Sequence, residues 1–194
     1  MQIHLHELTS DEREVLDLYK GNSSHLGVLC FADYINECLR RGFPLDGPWD
    51  KVIRTFDSLF AKSALPDDTL LYRATVDDFV APFVINHEFA YPAYMSTATD
   101  EYVVQRHFAS ASRGRPAALL RILCPAGTPA LDLEMNPDFC GHEQEVLLPC
   151  RARFKVDRTQ EIADRDEMAS YMSAFYARNY SLLKIYELEY VGRV

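Results

Sequence analysis

The spacing of the apolar residues changes once along the chain, at Leu65-Pro66-Asp67-Asp68, and this change limits the fold more than any other feature. Before it, apolar residues recur at helical intervals: Val52, Ile53, Phe56, Leu59 and Phe60 form one stripe within GPWDKVIRTFDSLFAKS. After it, TLLYRAT (69–75) opens a series of short β-type runs, with FVINHEFA, AALLRILC, EVLLP, RARFKV and LLKIYELEYV following. Strands and helices do not alternate as a regular βαβ series requires, so the order implies an α+β fold.

Punctuation sharpens the helical third. Thr9 and Glu12 form a capping box ahead of DEREVLDLYK, and Gly21 follows as a stop. A second helix is expected from Ser24 to Arg41, ended by Gly42 and Pro44, and a third from Pro48. Two more helices are expected among the strands, one in TDEYVVQRHFAS capped by Thr99 and one over about 164–178. The expected organisation is a single domain over 1–194, with a helical lobe at 1–65 and a β-rich core at 66–194.

Composition removes several classes of function. Of 194 residues, 48% are hydrophobic and 25% charged, ordinary values for a globular chain that needs no metal or disulfide to fold. The net charge of -9 disfavours nucleic acid, whose binding depends on neutralised phosphates. No run of ~18 apolar residues exists, and MQIHLHELTSDERE lacks the basic start and apolar stretch of a signal peptide, so a soluble chain and no membrane partner are expected. The 5 cysteines show no CxxC spacing, and His4 with His6 has no third ligand, so no metal is expected. Cys140 and His142 on one turn do not make a nucleophile and base, the H-x-E and P-C-x-x-C deaminase signature is absent, and no glycine-rich phosphate loop is present.

Three polar islands lie at the ends of apolar strand-like runs: Arg73 in LLYRAT, Ser96-Thr97-Ala98 in YMSTAT, and Glu143-Gln144-Glu145 in GHEQEVLLP. Each alone suits a surface arginine, a helix-cap loop or a solvated strand end. Glu143 and Glu145 are two apart, so on a regular strand they share a face and repel. That is tolerable at an open, partly hydrated strand end where cations arrive from two directions.

The order and spacing of these islands, with EQEVLLP followed by RARFKV, resemble the arginine–serine–glutamate class of mono-ADP-ribosyltransferases, which includes bacterial toxins and effectors. The resemblance covers residues 68 to 191, and the usual Ser-Thr-Ser reads Ser-Thr-Ala here. It implies two packed, mostly antiparallel sheets around an NAD cleft, with the helical lobe covering one side. NAD enters as co-substrate. Arg73, Ser96 and Thr97 would hold it, Arg106 would add a phosphate contact and Phe108 would clamp nicotinamide, although VVQRHFA also reads as plain packing. Departure of nicotinamide leaves positive charge on the ribose, which Glu145 would face, with Ser96 fixing its rotamer. Glu143 would take the proton of an incoming arginine, a side chain that attacks poorly while charged. Phe139, on the turn MNPDFCGH, would recognise the substrate.

The partner implied is a target protein in a host or competitor cell, reached by secretion, with an immunity protein or host factor as a further partner. Three alternatives stay open: an NAD glycohydrolase, a transferase to Thr/Ser or Asn/Gln acceptors, and a non-enzymatic binding module.

Overall fold

The computed structural model describes residues 7–20, 24–25, 29–45, 47–110, 114–135 and 144–194. In chain order the elements are α1 (Ser10–Lys20), β1 (Ser24–His25), β2 (Leu29–Cys30), α2 (Phe31–Arg41) and α3 (Pro48–Lys62). There follow β3 (Thr69–Val76), β4 (Val84–Ile85), β5 (Glu88–Tyr91), β6 (Met95–Ala98), α4 (Glu101–Val104) and β7 (Ala117–Cys124). The last are β8 (Leu131–Asp132), β9 (Glu145–Leu148), β10 (Ala152–Ile162), α5 (Arg165–Met168), α6 (Ala174–Ala177) and β11 (Leu183–Arg193).

The capping box that opens α1 forms in both directions. Thr9 N donates to Glu12 Oε2 at 3.0 Å, and Glu12 N donates to Thr9 Oγ1 at 3.3 Å. Glu12 also accepts from Ser58 Oγ at 2.7 Å and from Lys62 Nζ at 2.6 Å, which fastens the start of α1 to α3. Although burial acts to raise it, these bonds bring the Glu12 carboxyl down to about 2. The third helix starts where expected, at Pro48, after Gly47 turns the chain at φ 63.

Four local expectations need correction. The second helix starts at Phe31 instead of Ser24, because β1 and β2 pair with each other just before it. FVINHEFA is a hairpin rather than one strand: Asn86 and His87 take φ 51 and 64, the two left-handed positions of a tight two-residue turn, between Val84↔Phe89 and Ile85↔Glu88. Asp100, not Thr99, caps α4 by accepting from Tyr102 N at 2.8 Å, and the helix passes after Val104 into a 3-10 turn over Gln105–Ser110. The helix expected over 164–178 is two short ones, α5 and α6, each begun by its own side-chain cap, Asp164 and Ser173.

Among the described residues nine strands join in the order β4-β5-β10-β11-β7-β3-β6-β9-β8. Neighbours are antiparallel except β7 and β11. The two expected sheets are therefore one continuous sheet, but its two parts meet at a single residue pair, Tyr72↔Ala98. Such a narrow join lets the sheet fold over. Leu71, Leu120 and Phe154 of the longer part share one apolar core with Met95, Val146 and Leu148 of the shorter part. The helical lobe lies against the other face of the shorter part, where Phe56, Leu59 and Tyr19 pack with Tyr94 and Leu147. The elements α4 to α6 cover the outer face of the longer part, where Met168 and Ala177 pack with Leu119 and Ile185.

Candidate active site

Strand alternation selects the face on which Glu145 lies. Val146 and Leu148 point into the core between the two sheet parts, while Leu147 points toward the helical lobe. Glu145 follows Leu147 to the lobe side. Across the ladder it pairs with Ala98, too short to reach a carboxylate, and the diagonal neighbour does so instead. Ser96 Oγ donates to Glu145 Oε1 at 2.5 Å. Arg73 on β3 donates from Nη1 to the Ser96 carbonyl at 2.6 Å. Residues separated by 23 and 49 positions in sequence thus converge, and folding unites the three islands at Arg73, Ser96 and Glu145.

The second oxygen of Glu145 holds a partner that no motif indicated: the Lys20 ammonium, from the last residue of α1, pairs with Oε2. Basic residues are common in the last helical turn, where they complement the dipole, so Lys20 carried no distinguishing signal. The end of α1 is fixed by its neighbour. Asn36 Nδ2 donates to the Tyr19 hydroxyl at 2.9 Å, while Asn36 Oδ1 accepts from Tyr94 N at 3.0 Å. The Tyr19 ring also meets Phe56 edge-on at 5.2 Å. Burial pushes the Tyr19 phenol above its ordinary value; the Asn36 hydrogen bond opposes the rise, Glu145 adds to it and Arg73 opposes it. Tyr19 therefore lies within electrostatic reach of both site charges.

The expectation of an open, hydrated strand end is overturned, since Glu145 is only 8% exposed and its counter-cation comes from the chain itself. The shared-face reading of the two glutamates depends on Glu143, which lies outside the described residues. The strand begins at Glu145, and Gln144 before it takes φ 48, outside the extended region. Thr99 holds this bend, donating from Oγ1 to Gln144 Oε1 at 2.7 Å and from N to Gln144 O at 3.3 Å.

Two further expectations are corrected. Thr97 points away from Ser96 into the sheet interior, where its hydroxyl donates to the Val146 carbonyl at 2.6 Å, so it ties β6 to β9 instead of facing a cofactor. Phe108 is 1% exposed and packs edge-on against Tyr180, whose hydroxyl donates to the Phe108 carbonyl, so its ring is taken up by the core. Glu143, Phe139 and the Arg106 side chain lie outside the described residues. Among the described residues no group of His, Cys, Asp and Glu could hold a metal ion, and no helix is long and apolar enough to cross a membrane.

The signature of the ADP-ribosyltransferase exoenzymes matches residues 1–176. The chain belongs to that family. The match takes in the helical lobe, which the motifs alone left outside. Among curated proteins no sequence matches. Solved structures do. Plx2a, an ADP-ribosyltransferase toxin from Paenibacillus larvae, is 19% identical over 95% of this chain and 88% of its own, with a TM-score of 0.65. C3stau2 from S. aureus, solved with NAD, is 18% identical over 96% and 89%, with a TM-score of 0.66. Exoenzyme S from Pseudomonas aeruginosa, solved with human 14-3-3 protein beta and carba-NAD, is 16% identical over 93% and 74%, with a TM-score of 0.63. At such identities the likeness is one of fold: the α+β ADP-ribosyltransferase fold, with a large sheet and flanking helices.

Proposed function

We propose that this chain is a mono-ADP-ribosyltransferase that moves ADP-ribose from NAD to a protein side chain, arginine first among the acceptors, and releases nicotinamide. The observation that carries this reading is the grip of Ser96 on Glu145, with Arg73 bound to the same serine's carbonyl. A buried carboxylate with a fixed rotamer suits a site where positive charge develops, because it needs no reorganisation as the reaction proceeds. The bond between ribose C1′ and nicotinamide nitrogen breaks, with its electron pair leaving on the nitrogen. Glu145 faces the resulting charge on C1′ and accepts from a ribose hydroxyl. The acceptor nitrogen then bonds to C1′, and its proton passes to Glu143.

The Arg73 guanidinium is a planar fork of donors, and one N–H is used on Ser96. The rest suits pyrophosphate oxygens in a way that a lysine would not. The acceptor is a side chain of a target protein in another cell, as befits a secreted toxin or effector. Replacing Glu145 by Gln removes the charge and keeps the shape. Both transfer and NAD hydrolysis are expected to fall at least about a hundredfold, the scale on which lost electrostatic stabilisation acts. Near-full activity in a folded Glu145→Gln protein, measured with labelled NAD, overturns the reading.

A further inference from the structure

Both oxygens of Glu145 are engaged from within the chain, Oε1 by the Ser96 hydroxyl and Oε2 by the Lys20 ammonium. The Lys20 and Glu145 side chains are 13% and 10% exposed, so the pair is largely withdrawn from water. It also joins residues 125 positions apart, and the helix end that delivers the ammonium is held through Tyr19 by Asn36 and Phe56.

This pairing bears on the chemistry. A carboxylate stabilises positive charge on a ribose only to the extent that its own charge is not already neutralised, and the ammonium makes the same contact that the ribose cation would make. We propose that Lys20 is a positioning residue: it holds Glu145 oriented in the NAD-free enzyme, and it leaves Oε2 when NAD enters. The inference rests on the reading of Glu145 as the ribose-facing carboxylate. Lysine suits the task, because its point charge on a flexible stem can leave one partner without moving the helix, whereas an arginine fork would hold the carboxylate at both oxygens. Ser96 stays in place throughout, so the rotamer survives the exchange. Lys20 loses no proton and forms no covalent bond.

Removing the ammonium leaves a buried charge unpaired in the free enzyme, and NAD then relieves it. Lys20→Met is therefore expected to bind NAD about three- to tenfold more tightly by calorimetry, while its NAD-free form melts below wild type. In a Glu145→Gln background the same substitution is expected to shift the dissociation constant by less than about twofold, since the partner charge is gone. Lys20→Arg is expected to bind NAD no more tightly than wild type, and Lys20→Gln serves if the methionine variant does not fold. Equal or weaker NAD binding by a folded, uncharged Lys20 variant overturns the proposal, as does a shift of the same size with and without the Glu145 charge. A wild-type protein that binds no NAD overturns the functional reading itself and this inference with it. A wild type that binds NAD, beside a Lys20→Met that gains nothing, overturns the inference alone.

Discussion

Glu12 offers a quantitative test of how the helical lobe is held to itself. The residue is 3% exposed and takes hydrogen bonds from Thr9, Ser58 and Lys62. Its carboxyl lies at about 2 in the folded chain, against an ordinary value of 4.5. At ~1.4 kcal/mol per unit, the carboxylate contributes up to about 3 kcal/mol at neutral pH. Solvent screening lowers this toward about 2 kcal/mol, because Lys62 is 47% exposed. The folded value is depressed, so the contribution is complete above pH 4.5 and is lost as pH falls toward 2. Glu12→Gln removes the charge while keeping the size. Urea melts at pH 7 are expected to show the variant about 2 to 3 kcal/mol less stable, equivalent to roughly 5–10 °C in melting temperature for a chain of this length. By pH 3 more than half of that gap should have closed, because the unfolded chain has then taken up the proton that the folded chain still resists. Urea is the denaturant of choice, since it leaves charge interactions unscreened. A gap of constant size from pH 7 to pH 3, or none at pH 7, would refute the account.

Other outcomes follow from the site and its supports. Ser96→Ala frees the Glu145 rotamer, and the NAD hydrolysis rate is expected to fall about ten- to a hundredfold with little change in melting temperature. Thr97→Val should leave the buried Val146 carbonyl without its partner and cost about 1–3 kcal/mol in a denaturant titration, with the dissociation constant for NAD kept. Phe108→Ala empties a fully buried ring position, for which calorimetric melting should record a loss of about 3–5 kcal/mol, as for a core residue. Glu143→Gln should lose transfer to arginine peptides more than it loses NAD hydrolysis, a ratio readable by mass spectrometry of the peptide and chromatography of free ADP-ribose.

What was legible in the sequence was mostly local. The capping box at Thr9 and Glu12 could be read because both partners lie within one helical turn, and Pro48 could be read because a proline start needs no distant partner. The second helix starts later than its sequence suggests because β1 and β2, two residues each, carry no period that a sequence window can detect. The convergence of Arg73, Ser96 and Glu145 is legible because motif and strand coincide there. Alternation separates Thr97 from Ser96: a three-residue motif on a strand cannot point all its side chains one way, and the middle one turns inward. Phe108 was the reverse case, an aromatic at helical spacing whose plain packing reading was the better one.

Lys20 was illegible for a different reason, and that reason concerns how the fold distributes its site. The three motif residues come from β3, β6 and β9, which the ladder brings together. The cation facing Glu145 comes from α1, which contributes no strand and lies outside the three polar islands. One helix therefore carries a charged fastening at each end: Glu12 anchors its start to α3, and Lys20 sets its end against the sheet. The ten residues of Ser10 to Tyr19 lead up to Lys20 as one rigid rod, and the face around Val15, Leu16 and Tyr19 is buried. A change in how α1 rests on α3 should then be felt at Glu145 without any change in the β-strands. The helical lobe thus contributes to the candidate site as well as covering it, since the counter-cation of the buried carboxylate comes from a helix packed from the other side.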